Sequence, residues 1–171
     1  MQTLLFLLMK SFFIILSTCF LISCDGGLTL PPDIEPGLSG VLSVQGPWPV
    51  QDSVKTLWIF ASQIFPIDSS NVASGIISNK ILLYPSIAES LPYNITSLSF
   101  NFALPPATYY YVGVLQRFGD NLLDPNSYRV VGVYSDPGTP GIPKTVTLRD
   151  FEVLSGVNLT VDFYNLPPQP F

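Results

Sequence analysis

Period-two alternation is the feature that most limits what this chain can become. In residues 97–104, Leu98, Phe100, Phe102 and Leu104 alternate with Ser97, Ser99, Asn101 and Ala103. A strand sends successive side chains to opposite faces, so this order describes a strand with one face in a core and one in water. The same period returns near the carboxyl end, where Val157, Leu159, Val161 and Phe163 alternate with Asn158, Thr160 and Asp162. A helix would scatter either set around its circumference.

Shorter signals fill in the rest. Residues 40–45 place Leu42 and Val44 on one side and Val41, Ser43 and Gln45 on the other, until "PWP" at 47–49 stops the run. Residues 53–61 set Val54, Thr56, Trp58 and Phe60 against Lys55, Leu57, Ile59 and Ala61, so only the lysine end is wet. Residues 62–92 hold an apolar strand near 80–84, behind a serine-rich stretch that reads as a turn, a wandering loop or a short helix. Strands are also predicted over 108–116, over 127–135 and within "KTVTLRDFEV" and "SGVNLTVDFY" after residue 143. The sum is about seven strands. Two antiparallel sheets packed across an apolar interior would bury their faces, an all-β antiparallel sandwich. Lys55 and the proline interruptions read as protection of its edges.

The order of these signals resembles a carboxypeptidase-regulatory-like or transthyretin-like sandwich, also called prealbumin-like. Gly40 to Val44 matches the family's opening "G-x-V" strand, and "LPPATYYYV" at 104–112 matches its proline turn and aromatic strand. Val146 to Leu148, Gly156 and Val157 to Phe163 match the closing strands. Ala107 stands where the family usually has glycine, so that turn must avoid positive φ or accept strain. The resemblance spans residues 38–164 and implies a transthyretin-like sandwich, with an immunoglobulin-like one as the alternative. Ligand carriers, adhesive modules and appendages of enzymes share such folds, so shape does not choose among them.

The front of the chain is different in kind. From Leu4 to Cys24 the only charge is Lys10. A bilayer span needs about 20 apolar residues, whereas a targeting segment carries an apolar part of about 7–15 behind a basic start. Leu21, Ile22, Ser23 and Cys24 resemble the lipobox of bacterial lipoproteins, which implies a lipid on the Cys24 thiol and cleavage on its amino side. An uncleaved transmembrane segment and an ordinary secretory signal are the rival readings. Met9 with Lys10 supplies the basic start that Met1 lacks, so the two methionines are alternative starts. The expected organisation is a signal peptide at 1–23, a lipidated flexible tether at 24–39, the sandwich at 40–164 and a proline-rich tail at 165–171. The implied location is a bacterial cell envelope, lipid-anchored to the membrane and not cytoplasmic. Asp25 resembles an inner-membrane retention signal, and the choice of inner or outer membrane stays open.

Removal of residues 1–23 from 171 leaves 148, with all twelve acids but only six of the seven basic residues, a formal charge of −6. A domain poor in Lys and Arg is a weak candidate for nucleic acid. Histidine is absent, which excludes a Ser-His-acid triad and histidine metal ligands. Cys19 leaves with the signal and Cys24 is consumed by lipid, so neither disulfide nor thiol chemistry is expected and no cofactor is implied. Asp120, Asp124, Asp136, Asp150 and Glu152 are the carboxylates a hydrolase could pair. Asp120, Asp124 and Asp136 lie in turn sequences, where backbone capping is the ordinary role, and weak calcium-like binding by the 120–124 loop is the alternative. Asp162 reads as solvated. Asn94 and Asn158 begin N-x-Thr patterns and read as local hydrogen-bonding residues.

Aromatic side chains are the better binding candidates. Trp48 in its proline turn, with Tyr109 and Tyr111 on one strand face, could form a ligand or partner patch, since Tyr and Trp offer broad amphipathic area. Packing in core and edge is the rival, and Trp58 is expected in the core because Val54 and Phe60 share its face. The functional expectation is a non-catalytic, lipid-anchored envelope protein binding a partner or supporting envelope assembly. A carbohydrate- or small-ligand-binding lipoprotein is the alternative, and a carboxylate-dependent hydrolase the remote one.

Overall fold

The computed structural model describes residues 34–121 and 124–170. Cys19, Cys24, both candidate starts and the signal segment lie outside the described residues. The chain forms β1 (Gly37–Gln45), β2 (Thr56–Ser62), the short helix α1 (Val72–Ile77), β3 (Ile81–Tyr84), β4 (Ser97–Ala103), β5 (Thr108–Tyr109), β6 (Tyr111–Arg117), β7 (Tyr128–Val133), β8 (Val146–Thr147), β9 (Val153–Leu154) and β10 (Leu159–Asp162). No helix among the described residues is long and apolar enough to cross a membrane.

The architecture is an all-β sandwich. One sheet has β1 at its centre, with β4 antiparallel on one side and β9 followed by β10 on the other. The second sheet runs β3-β2-β6-β7, antiparallel throughout, and β5 pairs with β8 in a small third sheet. Three details differ from the sequence expectation. Both β9 and β10 run parallel to β1. Among the described residues ten strands replace about seven, because several pairings last only two residues and because the aromatic strand is split. β1 begins at Gly37, so residues 37–39 belong to the sheet rather than to the tether, and Leu38 is fully buried.

The alternating faces do what their periodicity predicts. Leu38 and Leu42 of β1, Phe100 and Phe102 of β4, and Leu159 and Val161 of β10 meet Leu57, Ile59, Val112 and Val114 of the second sheet in one core. Each such burial contributes roughly 1.5–3 kcal/mol. The other face of β2 is also dry: Trp58 and Phe60 join Ile67, Ile81, Tyr111, Leu115 and Val130 in a second core on the outside of that sheet. Residues 62–80 and α1 cover it, and Gly75 lets the helix sit against Ile81, where a Cβ would fall 2.7 Å from Cδ1. Trp58 is thus buried as expected but outside the space between the sheets; its Nε1 donates to the Ser86 carbonyl at 3.2 Å.

The link from β9 to β10 crosses directly over Gly40, where any Cβ would collide with the Val157 carbonyl. The Val157 N–H donates to the Ser39 carbonyl at 3.1 Å, and Asn158 Oδ1 accepts the Val41 N–H at 3.0 Å. Asn158 therefore bridges a gap in the ladder across 117 residues rather than bonding locally. Gly132 of β7 makes a second close approach, since a Cβ there would lie 2.5 Å from the Thr160 carbonyl oxygen of β10. The proline-rich tail folds back on this side: the Gln169 side chain accepts the Val130 N–H at 2.8 Å and donates to the Val130 carbonyl at 2.9 Å. One side-chain amide thereby occupies the outer edge of β7 as a neighbouring strand would.

Gly40→Ala should lower unfolding free energy by about 1–3 kcal/mol because backbone must move to admit the methyl group. Gly138, with nothing within 4 Å of a built Cβ, serves as control, and Gly138→Ala should stay within about 0.5 kcal/mol. Urea midpoints measure both. Equal midpoints for the two variants would refute the crossing over Gly40.

Candidate functional site

The three aromatic candidates are not brought together. Trp48 is half-buried; its ring lies 4.9 Å from Tyr93 edge-on and 4.9 Å from Phe163, and its Nε1 donates to the Ile95 carbonyl at 2.8 Å. Tyr109 is enclosed in the core between the sheets and donates its hydroxyl to the Pro105 carbonyl at 2.8 Å. Tyr111 points into the second core, 5.0 Å from Phe60 and 6.0 Å from Phe65. The cause is a break at Tyr110, whose N–H donates to the Ser62 carbonyl while the chain steps from the small sheet into the second one. Residues 109 and 111 consequently face different cores despite their spacing. Tyr110 is the exposed member of the triplet, at 47%. Desolvation raises the Tyr109 and Tyr128 phenols and pushes Tyr111 well above the ordinary tyrosine range.

The candidate acids fall in three turn regions, around 120–124, at 136 and at 150–152. Asp124 caps a 3₁₀ turn by accepting the Asn126 N–H at 3.0 Å. Asp120 pairs with Lys55 at 3.3 Å. Asp136 starts its turn, its carbonyl accepting the Thr139 N–H, and its carboxylate pairs with Lys144 at 2.6 Å, which raises the lysine's pKa. Glu152 accepts the Arg149 N–H at 2.9 Å. Asp162 caps the turn after β10 through the Tyr164 and Asn165 N–H groups, so it is engaged rather than merely solvated. Asn94 takes a left-handed φ of 61°, a conformation that asparagine tolerates better than most residues. Among the described residues no three His, Cys, Asp or Glu side chains are grouped so as to hold a metal ion.

Two surface features remain as candidate sites. The first is an open groove of about 350 Å³ beside the β7–β10 crossing, lined by Gln45, Gly132, Thr160, Asp162, Pro140 and Pro168. The second is the outer edge of β4. Val44 N donates to the Thr96 carbonyl and Leu104 N to the Pro36 carbonyl, which fixes the even-numbered positions of β4 as those bonded to β1. In an antiparallel ladder the backbone groups of intervening residues point the other way. Ser97, Ser99, Asn101 and Ala103 thus direct N–H and C=O away from the sheet, all four are exposed, and no strand pairs there among the described residues. No charge, proline or glycine interrupts residues 97–103. That absence of edge protection was the available sequence signal, and only the pairing order shows β4 to be terminal. Lys55, expected as an edge guard, instead precedes a central strand.

Searches of family models, of curated proteins and of solved structures find no match to this chain.

Alkaline pH should destabilise the domain. Tyr111 holds its proton more tightly folded than unfolded, so its contribution is complete below the ordinary tyrosine pKa near 10 and declines as pH rises through the folded value. The limiting slope is about 1.4 kcal/mol per pH unit for each such group. Urea midpoints should therefore fall above about pH 10, and Tyr111→Phe should make the fall shallower. An unchanged pH profile in that variant would contradict burial of the Tyr111 hydroxyl.

Proposed function

We propose that this protein is a non-catalytic, lipid-anchored component of a bacterial envelope whose transthyretin-like sandwich docks a protein partner. The open edge of β4 carries the docking reading, because four alternating residues of this seven-residue strand present backbone donors and acceptors outward in a fixed order. Strand addition at such an edge takes affinity from main-chain hydrogen bonds and specificity from side chains on alternating faces. The anchoring reading rests on Leu21, Ile22, Ser23 and Cys24. Twelve residues, 25–36, separate Cys24 from β1, and a chain of that length reaches at most ~40 Å. Acyl burial supplies attachment at about 0.8 kcal/mol per CH₂, leaving the sandwich to supply recognition.

Cys24→Ser should abolish incorporation of labelled fatty acid and leave the unprocessed precursor. Continued acylation with normal processing would exclude the anchor. A photoreactive residue at Asn101 of the full chain, irradiated in cells, should give a discrete protein adduct that the same residue at Gly138 does not. Equal labelling from both positions would remove the docking function.

The groove beside β10 favours a second reading, binding of a carbohydrate or another small ligand, since Gln45, Thr160 and Asp162 put polar groups into a concave wall. A glycan array should then show a response that Thr160→Trp, by filling the groove, eliminates. Retention of that response in Thr160→Trp would exclude the groove.

A further inference from the structure

The two sides of the sandwich are finished differently. On one side β7 and β10 meet at Gly132, and Gln169 covers the Val130 edge. On the other side both sheets end openly, in β3 and β4. β3 has only four residues, and Lys80 and Pro85 bracket it, which are ordinary edge protections. Tyr84 of β3 turns inward against Phe100 and Phe102, at ring distances of 6.4 and 5.5 Å, so the mouth between the sheets is filled. Among the described residues, β4 alone is a long, regular and undefended edge.

We propose that β4 pairs antiparallel with β4 of a second copy of this chain, centred on Phe100, so that the two β1-containing sheets become one continuous sheet across a two-fold axis. This deepens the docking reading above and rests on it. The register follows from the outward groups. Pairing Ser99 with Asn101 of the other copy, and Ser97 with Ala103, places every outward N–H opposite an outward C=O. It aligns all seven strand residues and closes about eight hydrogen bonds. A shift by one residue would set outward groups against inward-bonded ones, and a shift by two would leave an end pair unused. The axis also keeps side-chain layers matched: Phe100 faces Phe100 and Leu98 faces Phe102 on the core side, while Ser, Asn and Ala meet on the wet side. Because residues 97–103 carry no charge, a chain of formal charge −5 can meet itself here without opposing like charges across the pair. A two-fold edge contact is closed and does not propagate through β4.

Cysteine pairing tests the register in the full chain in its own membrane. Two differently tagged copies, one carrying Ser99→Cys and the other Asn101→Cys, are co-expressed and mildly oxidised. The proposed register puts these positions about 5.5 Å apart between Cα atoms, within the disulfide range. The mixed pair should give a disulfide-linked dimer, and two Ser99→Cys copies should not. Adding Asn101→Pro to the Ser99→Cys copy should reduce its pairing with an Asn101→Cys partner at least about tenfold. The ring of that proline replaces an outward N–H, a position where edge strands accept proline, so the urea midpoint of Asn101→Pro should stay close to the parent's. No bridge above the chain without added cysteine, or equal bridging in the Ser99→Cys pair, would overturn the proposal. A bridge from Ser99→Cys to a different protein would also overturn the second-copy assignment while supporting partner docking. Anchoring is decided separately by the Cys24→Ser experiment.

Discussion

The approach of β7 to β10 at Gly132 is the constraint on which the rest of the sandwich depends. Two sheets each carrying an apolar face can slide or splay unless something fixes their separation. Here the Thr160 carbonyl oxygen lies 2.5 Å from where the Cβ of any residue but glycine would stand at position 132, too close for one to fit. One margin of the sandwich is thus pinned at backbone contact distance. On the other side, Tyr84 packs against Phe100 and Phe102 at ring distances of 6.4 and 5.5 Å.

Polar groups reinforce the same geometry. Gln116 is fully buried on β6, yet its Nε2 donates to the Ser53 carbonyl at 2.7 Å and its Oε1 accepts from Arg129 Nε at 2.8 Å. A buried amide costs stability unless both ends are satisfied. With both satisfied, it ties β6 to β7 and to the turn before β2, next to the ladder irregularity between Val114 and Leu115. Gln169 does comparable service from the tail. Two glutamines thus hold β7, whose ladder with β6 is irregular, from its two sides.

Much of this was legible in the residues, and the limits were physical. Alternation located β4 and β10 because one face of each meets water. The two dry faces of β2 were equally visible, but period two does not say which face looks between the sheets, and Trp58 went to the outer core. The break inside Tyr109 to Tyr111 was hidden because no turn residue marks it; a hydrogen bond from Tyr110 to Ser62, distant in sequence, makes it. Parallel pairing of β1 with β9 and β10 depends likewise on contacts across more than 100 residues. That break at Tyr110 is what parts the aromatic candidates of the strand. Tyr109 and Tyr111 share a face only in an unbroken strand.

An unprotected edge of seven residues is a hazard for a freely diffusing protein, since it templates pairing with any extended chain. Under the proposed anchoring the hazard becomes usable. Acylated copies share one plane and a tether of limited reach, so a second copy meets β4 at an effective concentration that unrelated chains in bulk solution do not attain. Pairing can then be individually weak and still populated, and specificity comes from register more than from strength. The pinned, glutamine-clamped side opposite β4 fits this division. Gln169 occupies the β7 edge at Val130 and β10 lies against Gly132, so β4 is the long undefended edge left among the described residues. Closure by a two-fold axis ends pairing after one partner, and one undefended edge among the described residues, with the β3 edge guarded by Lys80 and Pro85, is therefore safer on a membrane-held domain than two would be.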